Sequence, residues 1–193
     1  MLFRSGAIFR PYLRLVVIQE YDALVYDLDG TLVHLDVDWE EVRREVAAVL
    51  RPRGVDVDGA DLWSMLELSE AAGYRRLVDE TIAEFEREGA RASRRLPPAR
   101  TVPADQPVGV CSLNSESACR IALETYGLDG SVDVIVGRDS VAAEKPHPEP
   151  LLTTIDGLDA TPERTLFVGD SERDEQTAQR AGTDYVYVRE FEI

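Results

Sequence analysis

Lysine is almost absent from this chain: of 21 basic residues, Lys145 alone is not an arginine. Cysteine occurs only at Cys111 and Cys119, with no metal-ligand spacing around either, so a disulfide framework and a cysteine-held metal are both excluded. A reducing cytoplasm is the expected location, with both thiols serving as small hydrophobes. No apolar run approaches the roughly 20 residues that a membrane span needs, and the stretch 13–18 is far too short. Residues 1–14 carry three arginines but no long apolar segment followed by a small-residue cleavage site. They read as an N-terminal extension rather than a signal peptide. Internal repeats and low-complexity blocks are missing as well.

Positive charge is in short supply. The 37 acidic residues outnumber the basic ones and leave a net charge of -16 with a pI near 4.5. Such a surface repels nucleic acid and anionic membranes, which removes both as partners. Its self-repulsion opposes compactness unless salt screens it. An acidic, arginine-rich, lysine-poor composition therefore points to a saline, halophilic cytoplasm. Thermal stability is expected to rise with KCl up to molar concentrations; a flat or falling melting temperature would remove that reading.

What is present is enough for a sizeable core. Hydrophobic residues make up 44% of the 193-residue chain, sufficient for one buried domain plus a modest insertion. Short apolar runs rich in β-branched residues recur at 23–26, 108–111, 132–136, 166–168 and 185–188, as in a parallel sheet buried on both faces. Helical spacing separates them. The segment 115–126 ends at Gly127, 148–156 opens on Pro148 and ends at Gly157, and 172–181 ends at Gly182. This alternation predicts an α/β fold, a Rossmann-like three-layer doubly wound parallel sheet.

Between Asp38 and Arg95 the strand signal disappears and only helical periodicity remains. Asp38 with Glu41 resembles a capping box opening a helix to Leu50, and two further helices are expected around 62–72 and 74–88. The expected division is a catalytic core of residues 1–34 and 96–193, with a small all-helical cap, 35–95, inserted after the first core strand. Trp39, Trp63 and Met65 are expected to pack the insertion against itself or the core, with a substrate-facing position left open for one or two of them. The arginines at 91, 94, 95 and 100 read as a solvated face rather than a phosphate site.

The strongest chemical signal is Asp27-Leu28-Asp29-Gly30-Thr31, directly after the run 23–26. A buried strand followed by two aspartates and a glycine places two carboxylates at the carboxyl edge of a sheet, where open α/β folds bind ligands. Residues two apart on an extended chain share one side, so both can address one site. Adjacent carboxylates repel, and a divalent cation is the usual remedy. A second acidic cluster follows another strand: Gly169-Asp170-Ser171, then Asp174 one helical turn on. Ser112 ends the run 108–111, and with Asn114 it stands where a hydroxyl and free N–H groups can receive a phosphate; helix N-capping is the competing role. The lone Lys145 suggests a position that requires a compact point charge. His34 and His147 read as exposed.

These motifs, in this order on successive strand ends, resemble the haloacid dehalogenase superfamily of phosphatases over roughly residues 22–190. The resemblance implies a magnesium-dependent phosphohydrolase acting on a small phosphorylated metabolite, phosphoglycolate being the expectation for a short helical cap. It implies Asp27 as nucleophile, Asp29 as acid and base, and Ser112, Asn114 and Lys145, with Gly30 and Thr31, around the phosphoryl group. Mg2+ would be held by Asp27, the backbone carbonyl of Asp29, Asp170 and Asp174. Two features depart from the family pattern: Leu113 separates Ser112 from Asn114, and the cap is short. A dehalogenase is disfavoured because Asp29 is present. A phosphomutase or phosphotransferase would share the same first step, and a non-catalytic binding or regulatory module is the alternative of a different class.

Overall fold

The computed structural model describes residues 18–102 and 105–191; the N-terminal extension, residues 1–14, lies outside them. Five strands form one parallel sheet: β1 (Ala23–Tyr26), β4 (Val108–Cys111), β5 (Val134–Val136), β6 (Thr165–Gly169) and β7 (Asp184–Tyr187). Their spatial order is β5-β4-β1-β6-β7, so the chain winds outward from β1 first to one edge and then to the other. The order reverses at β1, flanked by β4 and β6, which opens a crevice at the carboxyl ends of these three strands.

All four β1 side chains are fully buried, and they alternate between the two faces. Leu24 and Tyr26 pack with Val108, Val110, Leu166 and Val168 against Ala118, Ala122 and Leu123 of helix α4 (Glu116–Thr125). Ala23 and Val25 pack with Phe167 against Leu151 and Ile155 of α5 (Glu149–Gly157) and Ala178 of α6 (Glu172–Ala181). The continuous apolar runs of the sequence thus follow from helices covering both faces. Every core strand and helix expected from the sequence is present, with ends displaced by one or two residues, as fraying and capping allow.

Between β1 and β4 the chain forms three further helices, α1 (Trp39–Leu50), α2 (Leu62–Ala71) and α3 (Arg75–Arg91). Asp38 caps α1 by accepting from the Glu40 and Glu41 amides. The helices bury a core of their own, built from Val42, Val46, Leu50, Met65, Val78 and Ile82. One expectation is corrected here: the segment is not free of strand. Arg94–Arg95 (β3) pairs antiparallel with Val33–His34 (β2), so the chain leaves and re-enters the core through a two-stranded ribbon. Two-residue strands are too short to carry a periodic signal. Gly89 lets α3 press against the outgoing chain, since a Cβ there would overlap Val37 and the Asp36 carbonyl. Met65 is buried as expected, whereas Trp39 and Trp63 are each 41% exposed.

Candidate active site

Asp27 is the first residue after β1 and sits in the crevice, its amide bonded to the Val168 carbonyl at 2.9 Å. Its side chain is almost fully buried. Lys145 Nζ donates to Asp27 Oδ1 at 2.8 Å, to Asp174 Oδ1 at 2.5 Å and to the Cys111 carbonyl at 3.1 Å. One buried ammonium therefore bridges the ends of β1 and β4 and the first turn of α6. Its three donors match three acceptors, a pattern that a planar guanidinium does not reproduce. Burial alone would push the lysine down; Asp27 and Asp174 more than offset it and hold the ammonium well above its ordinary value.

Asp174 is held from the other side by Ser171, whose hydroxyl donates to Oδ2 at 2.6 Å and whose amide donates at 3.2 Å. Ser171 in turn caps α6 in a capping box with Asp174, so the helix cap and a site carboxylate are one structure. Asp170 is the exposed member of the cluster. Carboxylate oxygens of Asp27, Asp170 and Asp174 lie within 4.8 Å of one another. Burial raises Asp27 to about 7, with Asp174 and Asp170 adding to the rise and Lys145 opposing it. Asp170 is raised by burial first and by Asp174 second. Three hard oxygen donors, two of them buried, converge in a way that fits a divalent cation such as Mg2+.

Asp29 points elsewhere. Its carboxylate accepts from the Leu35 amide at 2.9 Å and lies 3.6 Å from His34 Nδ1, and burial raises its pKa. It lines the same cleft as Asp27 but stands outside the three-carboxylate cluster. Gly30 makes this possible: with φ at 85° it turns the chain back so that its amide bonds the Val33 carbonyl at 2.8 Å. A Cβ on Gly30 would also overlap the Asp170 carboxylate. Thr31 is fully buried, its hydroxyl without a hydrogen-bond partner, and it does not line the cleft. His147 is exposed.

Ser112, at the end of β4, donates to Asn114 Oδ1 at 3.1 Å and accepts from the Asn114 amide at 3.2 Å. Both residues line the cleft, whereas the N-cap of α4 is Ser115. The inserted Leu113 is thereby accommodated in a tight loop. That loop is fastened by a residue that sequence reasoning missed. Glu86, fully buried on α3, accepts from the Ser115 amide at 2.9 Å and from Asn114 Nδ2 at 3.3 Å. It also takes two bonds from Arg138, at 2.6 and 3.2 Å, and Arg138 donates onward to Asp79 and the Leu113 carbonyl. Burial disfavours the guanidinium charge, but Glu86 and Asp79 hold Arg138 above its ordinary value.

Glu86 had a signal in the sequence. It interrupts the i, i+4 series Val78, Ile82, Glu86, Ala90, a carboxylate on the apolar stripe of an amphipathic helix. Glu86→Gln leaves Arg138 buried with less countercharge, and it is expected to destabilise the fold by about 2–4 kcal/mol in urea melts. An unchanged unfolding midpoint would show that the pair holds nothing together. The arginine cluster follows its bland reading: Arg91 and Arg95 donate to the Arg87 and Ala99 carbonyls.

Comparison with known proteins bears on this geometry. Residues 104–188 match the family profile described as haloacid dehalogenase-like hydrolase. A candidate phosphoglycolate phosphatase from Lactobacillus plantarum superposes with a TM-score of 0.62 at 24% identity, covering 88% of this chain and 87% of that one. Over residues 104–188 the chain is similar to haloacid dehalogenase-like hydrolases, and its fold is that of this solved structure. CbbY from Rhodobacter sphaeroides, solved in complex with phosphate, shares the fold with a TM-score of 0.61 at 21% identity, over 86% of this chain and 85% of that one. Among curated relatives, pyrophosphatase PpaX of Bacillus mycoides (strain KBAB4) is 34% identical over 111 residues. That match spans 58% of this chain but only 44% of the relative. The profile match begins after Asp27 and Asp29 and does not reach the first motif.

Proposed function

We propose that this protein is a magnesium-dependent phosphohydrolase that cleaves a small phosphate monoester through an aspartyl-phosphate on Asp27. The observation carrying the reading is the placement of the Asp27 carboxylate: at the sheet's switch point, bonded to Lys145, and grouped with Asp170 and Asp174. An Asp27 oxygen attacks phosphorus as the bond to the ester oxygen breaks, and Asp29 gives its proton to the departing alkoxide. Burial raises its pKa, which favours the protonated form that this step needs. Asp29 then takes a proton from water, which attacks the phosphorus of the acyl phosphate, releasing inorganic phosphate and restoring Asp27. Lys145, Ser112 and Asn114 surround the phosphoryl oxygens. Mg2+ held by Asp27, Asp170, Asp174 and the backbone carbonyl of Asp29 would supply Lewis-acid neutralisation of phosphoryl charge. Residues 35–95 act as the cap that screens the site from water.

The direct test is phosphate release from p-nitrophenyl phosphate at high salt, with Mg2+ and with EDTA. Turnover that needs Mg2+ supports the reading. Failure of this substrate, of a wider monoester panel and of beryllofluoride binding in Mg2+ would leave only a non-catalytic module.

Metal affinity carries its own pH dependence. With Asp27 raised to about 7, a proton must leave before the cation can be held. Mg2+ is therefore expected to bind more tightly as pH rises from 5.5 to 7, by up to about tenfold per pH unit and levelling off above it. Calorimetric titrations at both ends of that range measure it, and an affinity independent of pH would contradict the raised carboxylate.

A further inference from the structure

The cleft in front of Asp27 encloses about 460 Å3, room for considerably more than a phosphate. Its far wall comes from the cap, where Trp39, Leu62, Trp63, Leu66 and Ile82 face Leu113 of the core. Trp39 and Trp63, each 41% exposed, are the largest of the exposed apolar side chains among the described residues, and both line this one cavity, whereas the exposed Leu68, Leu77 and Leu152 do not.

The charges of the same wall point the same way. Seven carboxylates line the cleft against three cations, and each cation is already committed. Lys145 holds Asp27 and Asp174, Arg138 holds Glu86 and Asp79, and Arg43 donates to Glu40 at 3.1 and 3.2 Å. Arg173 lies over the Trp63 ring, its guanidinium carbon 4.0 Å from the centroid, and does not line the cavity. A substrate carrying a second anionic group would enter an acidic chamber in which, among the described residues, every lining cation already has a carboxylate partner.

We propose that the leaving group of the natural substrate is uncharged and apolar, with an aromatic ring, and that Trp39 and Trp63 receive it. Phosphoglycolate and pyrophosphate, each with a second anion, are then poor substrates, whatever the relatives of this chain cleave. The proposal rests on the phosphohydrolase reading and sharpens it. One aromatic or aliphatic contact surface in such a pocket is worth about tenfold or more in discrimination.

The experiment compares kcat/KM at high salt and in Mg2+ for 2-phenylethyl phosphate, ethyl phosphate, phosphoglycolate and phosphocholine. All are alkyl monoesters, so an activated phenol leaving group does not bias the ranking. The expected result is 2-phenylethyl phosphate at least tenfold above each of the others. Trp39→Ala and Trp63→Ala are expected to collapse that ratio several-fold; both residues are exposed, so folding is not at stake. Binding of benzylphosphonate and phosphonoacetate, followed by tryptophan fluorescence in Mg2+, separates this proposal from the reading beneath it. Tighter binding of benzylphosphonate without turnover of any ester would uphold the pocket and overturn the hydrolase. Turnover that ranks phosphoglycolate or phosphocholine first, or ratios that survive both tryptophan variants, would overturn the pocket and leave the hydrolase standing.

Discussion

Asp27→Asn is expected to lower phosphatase turnover by on the order of 10^4-fold or more while leaving the protein folded. Asparagine has the same shape but cannot attack phosphorus, so the loss falls on kcat rather than on KM. The fold should tolerate the change because the carboxylate is already unfavourable where it stands. Burial raises Asp27 to about 7, so in the metal-free protein near neutrality its charge opposes folding rather than assisting it. Lys145 retains Asp174 as a partner. In EDTA at pH 7.5 the melting temperature of Asp27→Asn is expected to equal or exceed that of the wild type. The Mg2+-induced rise in melting temperature should shrink, since one of three converging carboxylates is gone. Activity within tenfold of wild type would mean that another group attacks phosphorus.

Lys145→Met should do the reverse, lowering stability as well as activity. The ammonium is 2% exposed and sits between two nearly inaccessible carboxylates. Removing it leaves two buried negative charges facing each other, at a cost of about 3–5 kcal/mol at neutral pH in EDTA. For a chain of this length that is a fall of about 10 °C in melting temperature. The sign of the pH dependence follows from the charges. Without the cation the two carboxylates take up protons more readily when folded, so the deficit is greatest at pH 7.5 and narrows toward pH 5. Thermal melts at the two pH values measure this. A melt within about 2 °C of wild type at pH 7.5 would show that the carboxylates do not depend on Lys145. Lys145→Arg is not expected to rescue either property, because a planar fork cannot satisfy three acceptors arranged around a point.

The core was legible in the sequence because burial on both faces writes itself as uninterrupted apolar runs. Ala23–Tyr26 and Val108–Cys111 could be placed to the residue. The carboxylates were legible because each cluster follows such a run directly, which fixes its position at the sheet edge before any contact is known. Lys145 stood out through a composition that uses arginine everywhere else. Harder to read was everything that depends on how the helical segment leans on the core. Trp39 and Trp63 have helical spacing, and spacing alone does not distinguish a cap interior from a cleft wall. The ribbon between Val33–His34 and Arg94–Arg95 joins residues about sixty positions apart with too few residues for any period to register. Glu86 and Arg138 meet across the cap and the core, and only the stray carboxylate on the apolar stripe of α3 hinted at the pair.

The central claim is that phosphorus passes through Asp27, and the most direct measurement is to trap it there. Protein quenched during turnover of a phosphate monoester in Mg2+ would be reduced with borohydride, which converts an aspartyl-phosphate to homoserine, and then digested for peptide mass spectrometry. Homoserine at position 27 is the expected result, absent from samples quenched without substrate. Steady turnover with position 27 unmodified, or with the label on another aspartate, would contradict it.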